Sequence, residues 1–466
     1  MILLAHSYYL RHDAKQLERM KPYPPLATLI AAATVRRAGH GVAFFDAMLA
    51  SGTDAFRAAL LMHRPAVVGI LEDNFNYLTK MCTLQMRDAT LEMIGVARDA
   101  GCRVVVNGSD ATDHPIRYLD AGADAVIVGD AEGAMVEIME RWGIDTTAPI
   151  DDIRGLAMRD ASGAVTHSAS RPSMRDLDSL PNPAWDLVNV AAYRQAWTSA
   201  HGRFSWNMVT SRGCPFGCNW CAKPLFGRRY AQRSAACVAE EMRAIVRDIG
   251  PDHIWFADDI FGLTPQWIDE FAHEVERLGA RTPFMIQCRA DLLQPRTVAA
   301  LAAAGAEEVW MGVESGSQRI LDAMEKGTTV AEVREATRAL RAHGIRACWF
   351  LQLGYPTEDW ADLLSTRDLV REERPDDIGV SVAYPLPGTK FHAAVRGQLG
   401  ARENWQDSGD LAMLFHGTYT TRFYHALRDA LHDEARSGAI NHDRWSALAS
   451  MEPESRSAQP SLFVGD

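Results

Sequence analysis

The chain has 466 residues, 47% hydrophobic and 23% charged, with a formal net charge of −12. That length holds two or three domains with ample core, and the acidic balance argues against wrapping nucleic acid, which wants a basic stripe. No apolar run reaches a membrane span, the start Met1-Ile-Leu-Leu-Ala-His6 has no basic leader, and eight cysteines with three bunched suit a reducing compartment, so a cytoplasmic protein is expected.

In chain order, a helical stretch, a glycine and a β-rich run recur at Gly39, Gly101, Gly122, Gly250, Gly279, Gly305 and Gly344. Glycine is the preferred left-handed helix stop, so each marks a return from helix to strand. This alternation predicts an α/β protein with parallel sheets throughout. Residues 1–145 read as strands Ile2–Ala5, Val42–Asp46, Val67–Leu71, Arg103–Asn107 and Ala125–Val128, separated by helices at 24–38, 52–62, 83–100, 113–120 and 131–141. Such a block is a doubly wound, Rossmann-like domain, with ligands at the carboxyl ends of its strands. Residues 146–200, with a turn at Ser162-Gly163 and the run Leu180-Pro-Asn-Pro-Ala-Trp185, read as a linker carrying a small hairpin. Residues 201–395 repeat strand and helix six times, with strands at 205–210, 253–257, 283–288, 307–312, 346–351 and 378–383. The count predicts a partial (β/α)6 barrel, again with its chemistry at the carboxyl ends. A helical, aromatic extension covers 396–450, and a polar, flexible tail covers 451–466.

The strand ends of the first block carry small and polar residues. Tyr23-Pro24-Pro25-Leu26 opens a helix after the first strand, and Leu71-Glu72-Asp73-Asn74 follows the third. Asn107-Gly108-Ser109-Asp110 follows the fourth and Gly129-Asp130-Ala131-Glu132 the fifth. One rim of this kind suits a ligand with amide or phosphate decoration lying near helix N-termini. His40, in a turn before a strand, and His114, near a helix start, read better as surface polar residues than as ligands.

In the second block, Cys214-Pro-Phe-Gly-Cys218-Asn-Trp-Cys221 places three thiols within eight residues, directly after the strand-like run Ser205–Val209. A tetrahedral structural zinc wants a fourth Cys or His, yet the nearest other cysteine is Cys237 and no histidine lies between. Three ligands with one open position suit an iron–sulfur cluster; a zinc knuckle or three incidental thiols are the alternatives. Cys82, Cys102, Cys237, Cys288 and Cys348 are scattered and read as small core residues.

The cysteine run resembles the signature of the radical S-adenosylmethionine (SAM) enzymes. The resemblance implies that Cys214, Cys218 and Cys221 hold a [4Fe-4S] cluster, whose fourth iron takes the amino and carboxylate groups of SAM. Electron transfer into the sulfonium then releases a 5′-deoxyadenosyl radical. Further SAM contacts are implied at the strand ends. Trp220 would pack beside the adenine or shield the cluster, and Arg289 would meet the SAM carboxylate. Asp258 and Asp259 would accept from the ammonium group, or else cap a helix. In Gly312-Val-Glu314-Ser315-Gly-Ser317, Gly312 and Ser315 flank Glu314, which would bind the ribose hydroxyls. Gln352 and Tyr384 would line a substrate or adenine pocket, although proline turns explain much of the same composition.

The upstream rim resembles the cobalamin-binding domain found ahead of many radical SAM enzymes. The likeness rests on Pro24-Pro25-Leu26, Ala38-Gly-His40 with Asp46, Gly108-Ser-Asp-Ala-Thr112 and Gly129-Asp-Ala-Glu132. The cobalamin-binding set it implies is Pro24, Pro25, Leu26, Glu72, Asp73, Asn74, Gly108, Ser109, Asp110, Gly129 and Asp130. The Asp-x-His-x-x-Gly motif, whose histidine ligates cobalt in other cobalamin enzymes, is absent, so no protein imidazole is expected beneath the metal. The Glu72-Asp73-Asn74 loop either forms that lower face or merely caps a helix.

Three functions follow from these resemblances. The first is a cobalamin-dependent radical SAM methyltransferase acting on an unactivated carbon of a small-molecule, lipid or tetrapyrrole substrate. It would work anaerobically, use two SAM molecules per methyl, and draw electrons from a flavodoxin or ferredoxin. The second keeps both cofactors but ends in oxidation or ring formation, as in the branch containing the anaerobic magnesium-protoporphyrin monomethyl ester cyclase. The stretch Asn404-Trp-Gln-Asp407, Met413-Leu-Phe-His-Gly-Thr-Tyr419 and Phe423-Tyr424 resembles tails of that branch; it would cover the barrel mouth or be plain structural helix. The third, a corrinoid carrier or sensor with a structural cluster, requires the SAM-binding strand ends to be accidental. A tRNA methylthiotransferase is disfavoured, because the N-terminal block has only Cys82 and Cys102 and lacks basic character for RNA.

Overall fold

A computed structural model of the chain describes residues 1–73, 75, 83–221, 229–399, 411 and 413–456. Packing divides it into two compact units, Met1–Cys214 with Lys223–Asp258, and Pro215–Ala222 with Asp259–Asp466.

The first unit is built on a sheet of order β2-β1-β3-β4-β5-β6-β7. Its strands are β1 Ile2–Ala5, β2 Val42–Phe45, β3 Val67–Leu71, β4 Arg103–Asn107, β5 Ala125–Ile127, β6 Leu156–Arg159 and β7 Val165–His167. The first five run parallel. Side chains alternate across a strand, so β1 sends Ile2 and Leu4 to one face and Leu3 and Ala5 to the other. Ile2 and Leu4 meet Ala31, Val35, Met135 and Ile138 of helices Leu26–Arg37 and Ala131–Trp142. Leu3 and Ala5 meet Phe56, Leu60, Met93 and Ile94 of helices Thr53–His63 and Thr83–Asp99. Burial on both faces explains why these strands read as apolar runs rather than alternating ones.

The sheet departs from the expectation of parallel pairing throughout. The hairpin around Ser162-Gly163 adds β6 and β7 antiparallel to the edge of β5. A connection this short permits only the antiparallel arrangement, and Asp160 Oδ1 closes the turn by accepting from Ser162 N at 2.8 Å. Leu156 and Ala157 are buried, so the segment covers the exposed backbone of β5.

The first unit also holds the parallel pair β8 Ser205–Met208 and β11 His253–Phe256, and the short antiparallel pair β9 Ser211–Arg212 and β10 Ala231–Gln232. The second unit carries β12 Phe284–Cys288, β13 Ala306–Glu314, β14 Arg346–Leu353 and β15 Asp377–Val382, all parallel to their neighbours. All six strands expected after residue 200 therefore occur. β13 slips register between Gly312 and Glu314, where Glu314 adopts a φ of 64°. Bulges of this kind re-aim side chains at strand ends.

Helices Thr421–Ser437 and His442–Ser455 close the described chain. The aromatic residues Phe415, Tyr419, Phe423 and Tyr424 are all buried. Phe423 and Tyr424 lie on the first of these helices, whereas Phe415 and Tyr419 precede it and pack as core; Trp405 lies outside the described residues. Among the described residues no helix is long and apolar enough to cross a membrane.

Candidate functional site

In the first unit the strand order reverses direction of growth between β1 and β3, and ligands of open α/β sheets bind outside the carboxyl ends at that point. His6 and Ser7 follow β1 and are buried; Glu72 and Asp73 follow β3. Ser7 Oγ donates to Glu72 Oε1 at 2.6 Å, and Thr90 Oγ1 donates to Ser7 at 2.8 Å. Glu72 Oε2 is buried with no hydrogen-bond partner among the described residues. Burial pushes the Glu72 carboxyl up to about 7 and that of Asp73 to about 6, against the opposing pull of their hydrogen bonds. Gly108 faces this group closely, since a Cβ there would stand 2.8 Å from Glu72 Cγ. Asn107 Nδ2 donates to the carbonyl of Gly129 at 3.0 Å and so holds the next turn in place.

Other members of the expected cobalamin set are held by the fold. Leu26 is fully buried in the core, and Pro25 stands at the N-cap of its helix. The Pro24 carbonyl accepts from Asn207 Nδ2 at 2.9 Å. Ser109 opens a short helix, whose next residue, Asp110, accepts from Arg87 Nε at 2.6 Å and from the Tyr118 hydroxyl at 2.5 Å. Asp130 and Glu132 grip the buried Arg212, at 3.2 Å and 2.5 Å. Asn74 lies outside the described residues. Arg212 and Ser7 were not singled out in the sequence, though Ser7 lies two residues past a strand and Arg212 precedes Cys214 by two residues; Glu132 was read only as the end of the Gly129-Asp-Ala-Glu132 run.

Asp258 is also a strut of the first unit. It accepts from Thr210 N at 3.0 Å, from Thr210 Oγ1 at 2.8 Å and from the Ser211 hydroxyl, and burial pushes its carboxyl up to about 7. It caps no helix; the residue at the next N-cap is Thr264.

Cys214, Cys218 and Cys221 are half-buried and form no disulfide among the described residues. Among the described residues no group of three His, Cys, Asp or Glu side chains is drawn together as a metal set. The loop is fastened in the second unit by Asn219, a residue between two cysteines that sequence reasoning passed over. Its amide donates to Met324 O at 3.0 Å and its Nδ2 to Ala323 O at 2.8 Å. Its Oδ1 accepts from the Tyr355 hydroxyl at 3.0 Å, and its carbonyl accepts from Phe391 N at 3.1 Å. Trp220 packs against a cluster containing Tyr355, Phe391 and Phe415, as does Tyr384. The indole Nε1 of Trp220 is buried without a partner among the described residues.

Beside Cys218 stand two cations. Arg289 Nη1 lies 3.8 Å from Cys218 Sγ, and its guanidinium stacks 3.8 Å from the Phe216 ring. Its fork engages Asp291, at 2.9 and 3.1 Å, so the carboxylate it meets in this structure is the protein's own. Lys326 Nζ donates to Glu314 Oε1 at 2.7 Å, with both side chains buried. Burial drives the ammonium toward neutrality, but Glu314 and Cys218 more than reverse this and hold it above the ordinary lysine range. Positive charge here suits a loop of thiolates, which cations favour. Gly312 makes room for the pair, because a Cβ there would lie 2.6 Å from both Glu314 Oε1 and Lys326 Nζ.

Ser315 is turned to structure: it is fully buried and shares a 3.2 Å contact with Thr366 Oγ1. Gln352 is buried on β14 with Oε1 unpartnered among the described residues. Asp259 is exposed.

The loop after β14 contains a further buried carboxyl. Glu358 Oε2 accepts from Gly354 N at 2.6 Å, and burial pushes the group up to about 8. A carboxyl with a raised folded pKa holds its proton more tightly when folded; its stabilising effect is full below the unfolded value, near 4.5, and is lost as pH rises through about 8. Thermal midpoints of wild type and Glu358→Gln should therefore diverge between about pH 5 and pH 8, the wild type falling relative to the variant. Parallel pH profiles would contradict this.

The cysteine loop follows β9, and two cations, Arg289 and Lys326, stand beside Cys218. Residues 208–370 match the Radical SAM superfamily, and this stretch is a radical SAM domain. The chain is 26% identical over 389 residues to an uncharacterized methyltransferase of Pyrococcus horikoshii, covering 82% of this chain and 81% of that protein. It is 28% identical over 281 residues to the anaerobic magnesium-protoporphyrin IX monomethyl ester cyclase of Cereibacter sphaeroides, covering 59% of this chain but only 45% of that protein. Its fold is similar to the solved structure of the radical S-adenosylmethionine methyltransferase TsrM from Kitasatospora setae with cobalamin and [4Fe-4S] cluster bound. The TM-score is 0.69 at 20% identity, over 86% of this chain and 78% of that one.

Proposed function

We propose that the chain is a cobalamin-dependent radical SAM methyltransferase that methylates an unactivated carbon of a small-molecule substrate. The observation that carries this reading is the presence in one chain of two features. One is the Cys214-Cys218-Cys221 loop; the other is an upstream sheet whose reversal point presents Glu72 with a free buried oxygen. When bound, the cluster supplies the electron that cleaves SAM, and the corrinoid supplies the methyl group.

In this reading Cys214, Cys218 and Cys221 bind the iron, and Asn219 orients their loop. Arg289 and Lys326 offset the thiolate charge, while Glu314, held by Lys326, presents its second oxygen to the ribose. Trp220, Gln352 and Tyr384 shield the site from water, and Trp220 Nε1 and Gln352 Oε1 supply buried polar atoms for SAM. In the first unit, Glu72, Asp73, Gly108, Ser109 and Gly129 would hold the corrin, with Glu72 offering its free carboxylate oxygen and Gly108 admitting close approach. Pro24, Pro25, Leu26, Asp110 and Asp130 shape that rim through the backbone and the ion pairs described. Flavodoxin or ferredoxin would deliver the electron.

Anaerobic enzyme supplied with reductant, cobalamin and methyl-labelled SAM should produce 5′-deoxyadenosine and a labelled product. 5′-Deoxyadenosine with an oxidised or cyclised, unlabelled product would instead assign the chemistry of the cyclase relative. No SAM cleavage at all would end both readings.

A further inference from the structure

The first unit holds a cavity of about 710 Å³ that touches the rim described above only at Asp130, on its wall. Its wall includes Arg154, Arg171, Arg175, Arg212 and Arg229, in a chain whose net charge is −12. Arg212 is held by Asp130 and Glu132, and Arg171 Nη2 lies 2.8 Å from Glu137. The other three form no ion pair among the described residues. Arg154 Nε donates to the Ser170 carbonyl at 3.0 Å and Arg229 Nη1 to the Ser173 hydroxyl at 3.0 Å. Five guanidinium groups thus face three carboxylates, an excess of two positive charges.

We propose that this cavity is a receptor for a phosphate group. A guanidinium fork matches the oxygens of phosphate, and a phosphate monoester near neutral pH carries a charge of about −2, which balances the excess. A volume of this size accepts a phosphate together with the sugar or nucleoside that bears it. Arg171 and Arg212, fixed by their carboxylates, form the rigid wall, and Arg154, Arg175 and Arg229 supply the unspent charge. Phosphate chemistry can reach the cavity from two sources, a phosphorylated substrate or the nucleotide-loop phosphodiester of a corrinoid. Only this choice of source rests on the function proposed above.

The test is calorimetric, on reconstituted enzyme, with inorganic pyrophosphate as probe and the Arg175→Met/Arg229→Met double variant as comparison. Neither residue holds an ion pair, so the variant should fold and keep its iron–sulfur absorption. If the source is substrate, pyrophosphate binds the cobalamin-loaded enzyme and the double variant binds it about tenfold or more weakly. If the source is the cofactor, pyrophosphate is excluded by cobalamin, and the variant loses affinity for cobalamin but not for cobinamide, which lacks the phosphate. Absence of pyrophosphate binding together with unchanged cobalamin affinity would overturn the proposal. SAM cleavage by the wild type is scored separately, so failure of the enzymatic reading is not confused with failure of the receptor.

Discussion

Alanine at Cys214, Cys218 and Cys221 together is expected to give a folded protein without iron–sulfur absorption and without SAM cleavage. The three thiols are half-buried and contribute little packing, whereas the loop that carries them is held by the four hydrogen bonds of Asn219. Loss of ligands and loss of fold are therefore separable here. Asn219→Ala supplies the complementary case: the thiols remain, but the loop loses its attachment to Ala323 and Tyr355. Cluster content in that variant should fall only partly, and iron retained per chain should track the tightness of the loop. Far-ultraviolet circular dichroism and iron analysis on both variants would check this. A cysteine-free protein that still cleaves SAM would remove the basis of the proposed chemistry.

Lys326→Met is expected to destabilise the chain by about 3–5 kcal/mol, because it leaves Glu314 buried beside an apolar side chain. Lys326 and Glu314 are 7% and 6% exposed, so solvent screens their 2.7 Å contact little. The strand slips register beside the pair and Glu314 sits at a φ of 64°, so the carboxylate has no easy retreat to solvent. Replacing both residues, as in Lys326→Met/Glu314→Met, should recover most of the loss, since removing both partners of a buried pair is often near neutral. Urea midpoints measure the stability. SAM cleavage should remain absent in the double variant, which distinguishes a carboxylate that meets the ribose from one that only completes the fold. Recovery of both stability and cleavage would make the pair purely structural.

The elements were legible because glycine punctuation and apolar runs are local. Strand boundaries such as Arg103–Asn107 and Ile2–Ala5 follow from residues within a few positions of each other. The cysteine loop was legible for the same reason. Pairing partners were not, because they depend on residues far apart in sequence. Arg289 offered a fork for a carboxylate, and only the folded chain shows Asp291 already in it. Ser315 stood in a glycine-flanked motif suited to ligand, but its hydroxyl meets Thr366 of helix Trp360–Glu373. Leu26 stood in the expected rim, but its side chain goes to the core. The hairpin of β6 and β7 was visible as a turn, while its pairing with β5 depended on which sheet edge stood open.

The buried triad of Arg212, Asp130 and Glu132 has a thermodynamic consequence. Asp130 and Glu132 belong to the turn after β5, and Arg212 begins the stretch that reaches Cys214 two residues later. A turn and a loop joined in this way share one free energy of ordering. A ligand that settles the turn lowers the cost of settling the chain ahead of the cysteines, and the coupling must be equal in the opposite direction. The order of the turn after β5 and the order of the chain just ahead of Cys214 are then linked equilibria within the first unit, with Arg212 as the term common to both.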